Sequence, residues 1–416
     1  MKKKSNSIFF KIHILLLASL MVFACDAQTI YEPLFKCSRT MTNPYGVVTH
    51  IVRKTERYDY DVRDKDLQMV KDIKINFVRS DFDWQTFKTK RASFLDYHVS
   101  DSAMYSVQNQ GLDMLGIIGM DYRLDVSNDW REYVTSTCKR YHNDVGYWEI
   151  LNEADLMAKF RNGFNSNRYV SFLKNGYKAV KDGNKNAKVL ISGFAYAERI
   201  FIDSVLEQHV SDYFDIMAVH HYTDKTREPE EFLSFLKMLS AKLTKYQIKK
   251  PLWLTETGCF NTIGKENDTI AGNRLPRIFL ISFACGVEKV FWYKSRAREI
   301  NPNDGEDFYG LWHKDFEAKP AYYTYKTLTK MCPNKSTRPK LVRYGDVYIS
   351  SWKRPDRKKV WALWTSKKDE LLALNIKGEY KAYDDYGNKI LISSGNIEVT
   401  PSVIYVVGAK SLNIQE

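Results

Sequence analysis

The 416-residue chain carries no glycine-rich phosphate turn, no C-x-x-C spacing, no stripe of arginine and lysine, no internal repeat and no low-complexity tract. The first absence argues against a doubly wound dinucleotide fold, which needs a glycine turn after an early strand. Here the first apolar run is followed by "VRKTERYDYD". The second argues against a structural zinc site, and the third against nucleic acid as partner. Cysteine is scarce, at six residues: Cys25, Cys37, Cys138, Cys259, Cys285 and Cys332. If Cys25 is lipidated or removed, an odd number remains and at least one is unpaired.

Long apolar runs are also missing, except in the first 24 residues. There "MKKKSNSIFFK" is a charged leader, and "IHILLLASLMVFA" is apolar but too short to span a bilayer comfortably. Two cleavage patterns fit. "VFAC" resembles a lipobox with Ala24 before Cys25, which would make Cys25 a lipid anchor, although Phe23 is larger than that motif usually takes. "CDA" before Gln28 fits ordinary secretion. Both imply export to a periplasm or bacterial envelope, where disulfides are permitted. Without residues 1–24 the net charge falls from +13 to +9, spread along the chain as a solvated surface or as a match to an anionic glycan or envelope partner.

What is abundant is aromatic: 27 tyrosines and nine tryptophans in a chain that is 44% hydrophobic. Such rings serve cores first and ligand surfaces second. From residue 44 a beat repeats, a short apolar run and then an amphipathic stretch. The runs are "YGVVTHI", "NFVRSDF", "DMLGIIGM", "GYWEILNE", "KVLISGF", "FDIMAVHHY", "PLWLTETG" and "EKVFWYK". Segments such as "RYVSFLKNGYKAVKD" between them space apolar residues three and four apart, as helices do. Eight strand–helix units predict an α/β chain folded as a (β/α)₈ barrel over residues 44–333, following an N-terminal segment 25–43. From 338 to 416 the runs shorten and lose helical period, with "DDYGN" as a turn. This predicts a small C-terminal antiparallel β domain, joined through "CPNKSTRPK".

Barrel enzymes place their chemistry where strands end. The fourth run ends on Asn152-Glu153 and the seventh on Glu256. Either dipeptide alone means little, since Thr55-Glu56 repeats the second with no functional look. At the ends of the fourth and seventh of eight strands, the two glutamates would share one mouth, as glycoside hydrolysis requires. Glu153 would be the acid/base, its pKa raised by burial and by Glu256, and Glu256 the nucleophile. Asn152 would bind the hydroxyl beside the reacting carbon.

Arg79 interrupts the second run and needs an anionic partner. That partner is Glu256 in a catalytic reading, or Glu149 or Asp81 in a structural one. His220 and Tyr222 share parity on the sixth run and would face inward, with Tyr222 donating to Glu256, while His221 points away. A buried, satisfied His-Tyr pair is the rival. Trp292, ending the eighth run, would floor a sugar site or belong to the core, and Trp84 and Trp312 are candidates for outer subsites. No metal or other cofactor is expected. His220 and His221 cannot both point inward from a regular strand, and His50 and His313 are isolated.

These features resemble glycoside hydrolase clan A, retaining (β/α)₈ glycosidases with acid/base and nucleophile on strands four and seven. "YWEILNEADL" resembles its strand-four motif and "LWLTETG" its strand-seven motif. Arg79, His220, Tyr222 and Trp292 fall on further motif positions. "FYGLWHKDFEAKPAYYTYKTL" resembles the close of the barrel. Within the clan, "WEILNE" is most similar to the family of β-xylosidases and α-L-iduronidases, which also carries a small β domain. Ala154 departs from the proline often found after the acid/base. The resemblance implies a retaining hydrolase of β-linked oligosaccharides or polysaccharides, exo- or endo-acting. The rival reading is a non-catalytic glycan-binding envelope protein on the same barrel.

Overall fold

The computed structural model describes residues 28–52, 60–84, 95–120, 125–196, 199–224, 227–259, 265–367, 369–393 and 395–415. The leader and Cys25 lie outside them. Eight parallel strands occupy the eight apolar runs: β2 (Tyr45–Val48), β3 (Phe77–Phe82), β4 (Asp113–Ile118), β5 (Tyr147–Ile150), β6 (Lys188–Leu190), β7 (Met217–Thr223), β8 (Leu252–Cys259) and β9 (Lys289–Trp292). They pair in the order β6-β5-β4-β3-β2-β9-β8-β7. Parallel bridges Leu190↔Ile216 and Phe194↔Val219 then close the sheet on itself. These strands are almost wholly buried, because one face fills the barrel and the other meets the helices.

The intervening helices follow their sequence signals. Asn165 caps the helix Ser166–Gly183 by accepting from Arg168 N. Its buried stripe includes Tyr169, Val170, Leu173, Gly176 and Val180, the spacing that turns one face inward. Ser127 caps Asn128–Arg140 in the same way. At the barrel base Phe77, Tyr147, Trp253 and Phe291 pack ring against ring. Lys289 Nζ closes that end, donating to the carbonyls of Thr42 and Asn43.

The C-terminal part is two antiparallel sheets. One contains β10 (Lys340–Tyr344), β11 (Val347–Lys353), β12 (Lys359–Thr365), β14 (Lys381–Tyr383), β15 (Lys389–Ile390) and β17 (Ile404–Val407). The other is formed by β13 (Glu370–Lys377), β16 (Asn396–Val399) and β18 (Ser411–Ile414). Val347, Ile349, Trp361 and Leu363 of the first meet Leu372, Leu374, Ile397 and Val399 of the second. The edge of the first sheet is completed by β1 (Thr29–Tyr31), which pairs with β10. In the "DDYGN" turn Asp384 Oδ1 accepts from Tyr386 N and Asn388 N, and Gly387 takes φ 87°.

The β domain is fastened to the barrel by buried polar contacts: Trp364 Nε1 donates to Glu230 Oε1 at 2.7 Å, and Trp352 Nε1 to the Met331 carbonyl at 2.9 Å. The five cysteines of the described residues, Cys37, Cys138, Cys259, Cys285 and Cys332, are all unpaired. No helix among the described residues is long and apolar enough to cross a membrane.

Candidate active site

After Ile150 the backbone leaves β5 through two left-handed residues, Leu151 (φ 63°) and Glu153 (φ 47°). Such conformations cost non-glycine residues about 1–3 kcal/mol each. They abolish the alternation of a strand, so the neighbours Asn152 and Glu153 both line one cavity. Glu153 then starts the helix Ala154–Phe160. The Ala154 N–H donates to Ser192 Oγ at 3.1 Å. Proline would lack that donor, so here alanine lets Ser192 fasten the turn that carries Glu153.

The second carboxylate is aimed by a β-bulge. Pairing of β8 jumps from Val219↔Leu254 to His220↔Glu256 on one side, and from Leu254↔Val290 to Thr257↔Trp292 on the other. The extra residue re-aims the side chains beyond it, so Thr255 and Glu256 both reach the interior. Thr255 Oγ1 lies 3.2 Å from His220 Nε2, and Glu256 lines the cavity.

Glu153, Glu256 and His220 each offer an atom within 4.8 Å of the others. His220 Nδ1 lies 2.9 Å from Glu153 Oε1 and 3.7 Å from Glu256 Oε2. Tyr222 Oη donates to Glu256 Oε2 at 2.6 Å. Arg79 is fully buried and answers both readings of its partner: it forks onto Glu149 at 2.8 and 3.0 Å and reaches Glu256 Oε1 at 2.5 Å. Asp81 instead pairs with His50 at 3.1 Å. Arg79 Nη2 also donates to Asn152 Oδ1 at 2.7 Å, which leaves the Asn152 amide nitrogen as a donor toward the cavity.

This wiring splits two like groups. Burial pushes the Glu153 carboxyl upward, and the charges of Glu256 and Asp155 add to that, against the contact with His220; the net direction is up. Burial would push Glu256 up as well, but His220, Arg79 and the Tyr222 hydroxyl outweigh it and hold it low. Burial holds the Tyr222 hydroxyl protonated and therefore a donor. The pair can present one carboxylic acid and one carboxylate across a single gap.

Among the described residues Glu153, His220 and Glu256 form the one cluster close enough to ligate a metal ion. Their donors are already engaged by one another, by Arg79 and by Tyr222. A cation there would sit against a buried guanidinium, so the donor set does not fit a resident metal.

The three tryptophans expected at sugar subsites lie elsewhere. Trp292 is 2% exposed and faces the helices, because Lys289, Phe291 and Tyr293 take the inward parity of the eighth strand. Trp312 is buried with Nε1 donating to Asp66, and Trp84 is buried and stacked on Tyr133. Tyrosines supply the wall instead: Tyr222, Tyr293 and Tyr309 pack edge to face around the carboxylates and line a cavity of about 1000 Å³.

His50, isolated in sequence, closes the far side with Nε2 3.4 Å from Tyr293 Oη. Its position at the end of the first run is the signal that could have found it. Glu149, the keystone beneath Arg79, shares the inward parity of Tyr147. His221, expected to point away, stacks on Phe232 rather than meeting the carboxylates, yet it also lines the cavity.

Substitutions at two positions test this scaffold. Arg79→Met leaves the buried Glu149 without its bidentate partner, so denaturant unfolding should show a loss of about 3–5 kcal/mol. Arg79→Lys restores charge but not the fork, and should recover only part of it. Gly193 matters because a Cβ there would strike the His220 ring and Thr255 Oγ1. Gly193→Ala should displace His220 from Glu153 and cut turnover at least about tenfold, with far-ultraviolet circular dichroism unchanged.

A closed (β/α)₈ barrel with two glutamates at the ends of its fourth and seventh strands defines the class. No protein-family model matches this sequence, and no curated protein matches it. Solved structures do match in fold. A family 39 glycoside hydrolase from the gut symbiont Bacteroides cellulosilyticus WH2 aligns with TM-score 0.74 at 18% identity, over 88% of this chain and 81% of its own. A glucosidase from Croceicoccus marinus aligns at 0.67 and 12%, over 94% and 99%. A family 39 β-xylosidase from Caulobacter crescentus aligns at 0.64 and 11%, over 91% and 99%. The family of β-xylosidases that the sequence resembles is thus also among the neighbours in structure.

Proposed function

We propose that this protein is an exported retaining glycosidase cleaving β-linked glycans by double displacement. The observation that carries the reading is the pair Glu153 and Glu256, with oxygens within 4.8 Å and pKa values driven in opposite directions. Retaining enzymes hold their carboxyls about 5–5.5 Å apart, whereas inverting ones leave room for water at about 6.5–9.5 Å. In the first step Glu256 bonds to the anomeric carbon, the glycosidic C–O bond breaks, and the proton of Glu153 passes to the departing oxygen. In the second, water attacks the same carbon, Glu153 takes its proton, and the ester bond to Glu256 breaks. Arg79 and Tyr222 hold Glu256 ionised and aimed, Asn152 donates to the neighbouring hydroxyl, and His220 orients Glu153.

The reacting sugar is neutral in this reading. Asp81, Glu153, Asp224, Glu231, Glu256 and Glu306 line the cavity, against Arg79 and Arg227. Arg79 is consumed by two carboxylates, and Arg227 lies beside Asp224. A uronate would meet uncompensated negative charge. Export is supported by the leader of residues 1–24, and a lipid at Cys25 by the Ala24-Cys25 pair.

The test is to incubate the protein with neutral and uronate-bearing β-glycans and follow the released anomer by proton NMR. Release of the β-anomer first, from neutral substrates, is the expected result. First release of the α-anomer overturns retention, and turnover of none of them overturns the reading in favour of a binding protein. The pH profile of kcat/KM should be bell-shaped. Glu256 must be ionised and is held low, so the acid limb falls below the ordinary glutamate value of 4.5; Glu153 must be protonated and is raised, so the basic limb lies above it.

A further inference from the structure

The acidic mouth has an opposite elsewhere on the molecule. The helix Pro320–Met331 follows the eighth barrel strand and runs back toward the N-terminal face. Its last turn therefore lies away from the catalytic end. There it borders a groove of about 750 Å³ shared with the β domain, walled by Lys330, Arg354, Lys358, Lys381 and Lys410 with a single acid, Glu379. Tyr380 and Tyr383, both half-buried, line it between the cations.

The adjoining sheet end continues the charge. At one end of the sheet the neighbouring strands β10, β11, β12, β17 and β14 carry Lys340, Lys353 and Lys359 on the face of Trp361 and Lys381 on the opposite face, so the charge wraps over the sheet end. Lys353 and Lys359 stand directly opposite each other as a cross-strand pair, an arrangement that destabilises a sheet unless something neutralises it. Lys359 lies over the Trp361 ring at 4.2 Å. Burial and the charges of Lys340 and Lys353 together push its ammonium downward. Arg354 pairs with Asp356, but Lys330, Lys340, Lys353, Lys358, Lys381 and Lys410 have no ion pair among the described residues. Folding has gathered like charges here without compensating them.

We propose that this groove and sheet end form a second, non-catalytic site for an anionic polysaccharide bearing carboxylates or sulfates. The proposal deepens the carbohydrate reading above and rests on it for the choice of polymer. Five strands at about 4.8 Å spacing spread the lysines over about 19 Å, more than one phosphate or single sugar uses, so the ligand is a chain. Lysine supplies point charges where phosphate recognition favours the arginine fork, and the one arginine in the groove is already paired. No large exposed apolar side chain lies in the groove to enter a lipid surface. The site would hold the enzyme on a charged matrix while the mouth works on neutral linkages.

Affinity electrophoresis of the full chain in gels containing polygalacturonate, dextran sulfate or neutral dextran tests this. The two anionic gels should retard the protein and neutral dextran should not. The triple variants Lys358→Glu/Lys381→Glu/Lys410→Glu and Lys358→Gln/Lys381→Gln/Lys410→Gln should lose at least about tenfold in affinity. The neutral variant should also reduce the slope of log affinity against log salt by about three. Both should leave aryl β-glycoside turnover unchanged, so that failure here is distinct from failure of the catalytic reading. Equal retardation of wild type and both variants, or tighter binding to single-stranded DNA or to phosphatidylglycerol vesicles at the same salt, overturns the proposal. Retardation by dextran sulfate alone or polygalacturonate alone identifies which anion the site takes.

Discussion

Glu256→Ala should lower kcat on every β-glycoside by about 10⁴-fold or more, on the scale of losing a nucleophile that acts as a unit with its partners. In the proposed mechanism the carboxylate has two roles no neighbour can replace: it would form the covalent bond to the anomeric carbon, and its charge helps to raise the Glu153 carboxyl. The fold should survive, because Arg79 keeps its bidentate partner Glu149 and its contact with Asn152. Added azide should enter the space vacated by the side chain and attack from that face. The glycosyl azide formed would have the configuration opposite to the substrate's. Turnover within tenfold of wild type, or rescue with retained configuration, would remove Glu256 from the nucleophile's role.

Glu153→Ala should separate substrates by leaving group. General acid–base assistance is worth about 10²–10⁴-fold. That loss should appear in full for alkyl glycosides and sugar–sugar linkages, whose departing oxygen needs a proton. Aryl glycosides with acidic phenols depart without help, so their first step should proceed and the glycosyl-enzyme accumulate as a burst. Azide needs no general base and should release it with retained configuration, the reverse of the Glu256→Ala outcome. Under the proposed mechanism, esterification of Glu256 would remove a negative charge that raises Glu153, so the same group would give up its proton more readily when water must be activated. Equal loss on alkyl and acidic aryl substrates would contradict this assignment.

Much of this is legible in the residues. Eight apolar runs alternating with amphipathic stretches predict a barrel because a parallel strand buried on both faces has to be apolar throughout and has to be followed by a covering helix. Asn152-Glu153 and Glu256 stand out because polar groups end apolar runs there. Shared parity places His220 and Tyr222 together, and both meet the carboxylates.

Other features depend on contacts between distant segments. Residue type and strand position point Trp292 at the sugar floor, but the inward parity of its strand passes through Phe291 to Tyr293. That phase is set by how the strand docks on β2 and β8, which no local pattern encodes. The bulge at Thr255 is likewise invisible in "LWLTETG", since an extra residue shows only against its partner strands. β1 pairs with a strand more than 300 positions away, and its three residues carry no signal of that partner.

The chain by itself determined the periodicity of its elements, the class of fold and the placement of Glu153 and Glu256 at the ends of two apolar runs, because these depend on local spacing and residue chemistry. Tertiary structure alone decided which rings face the cavity, how Arg79 divides itself between Glu149 and Glu256, and where uncompensated lysines gather, because each depends on distances between residues far apart in sequence.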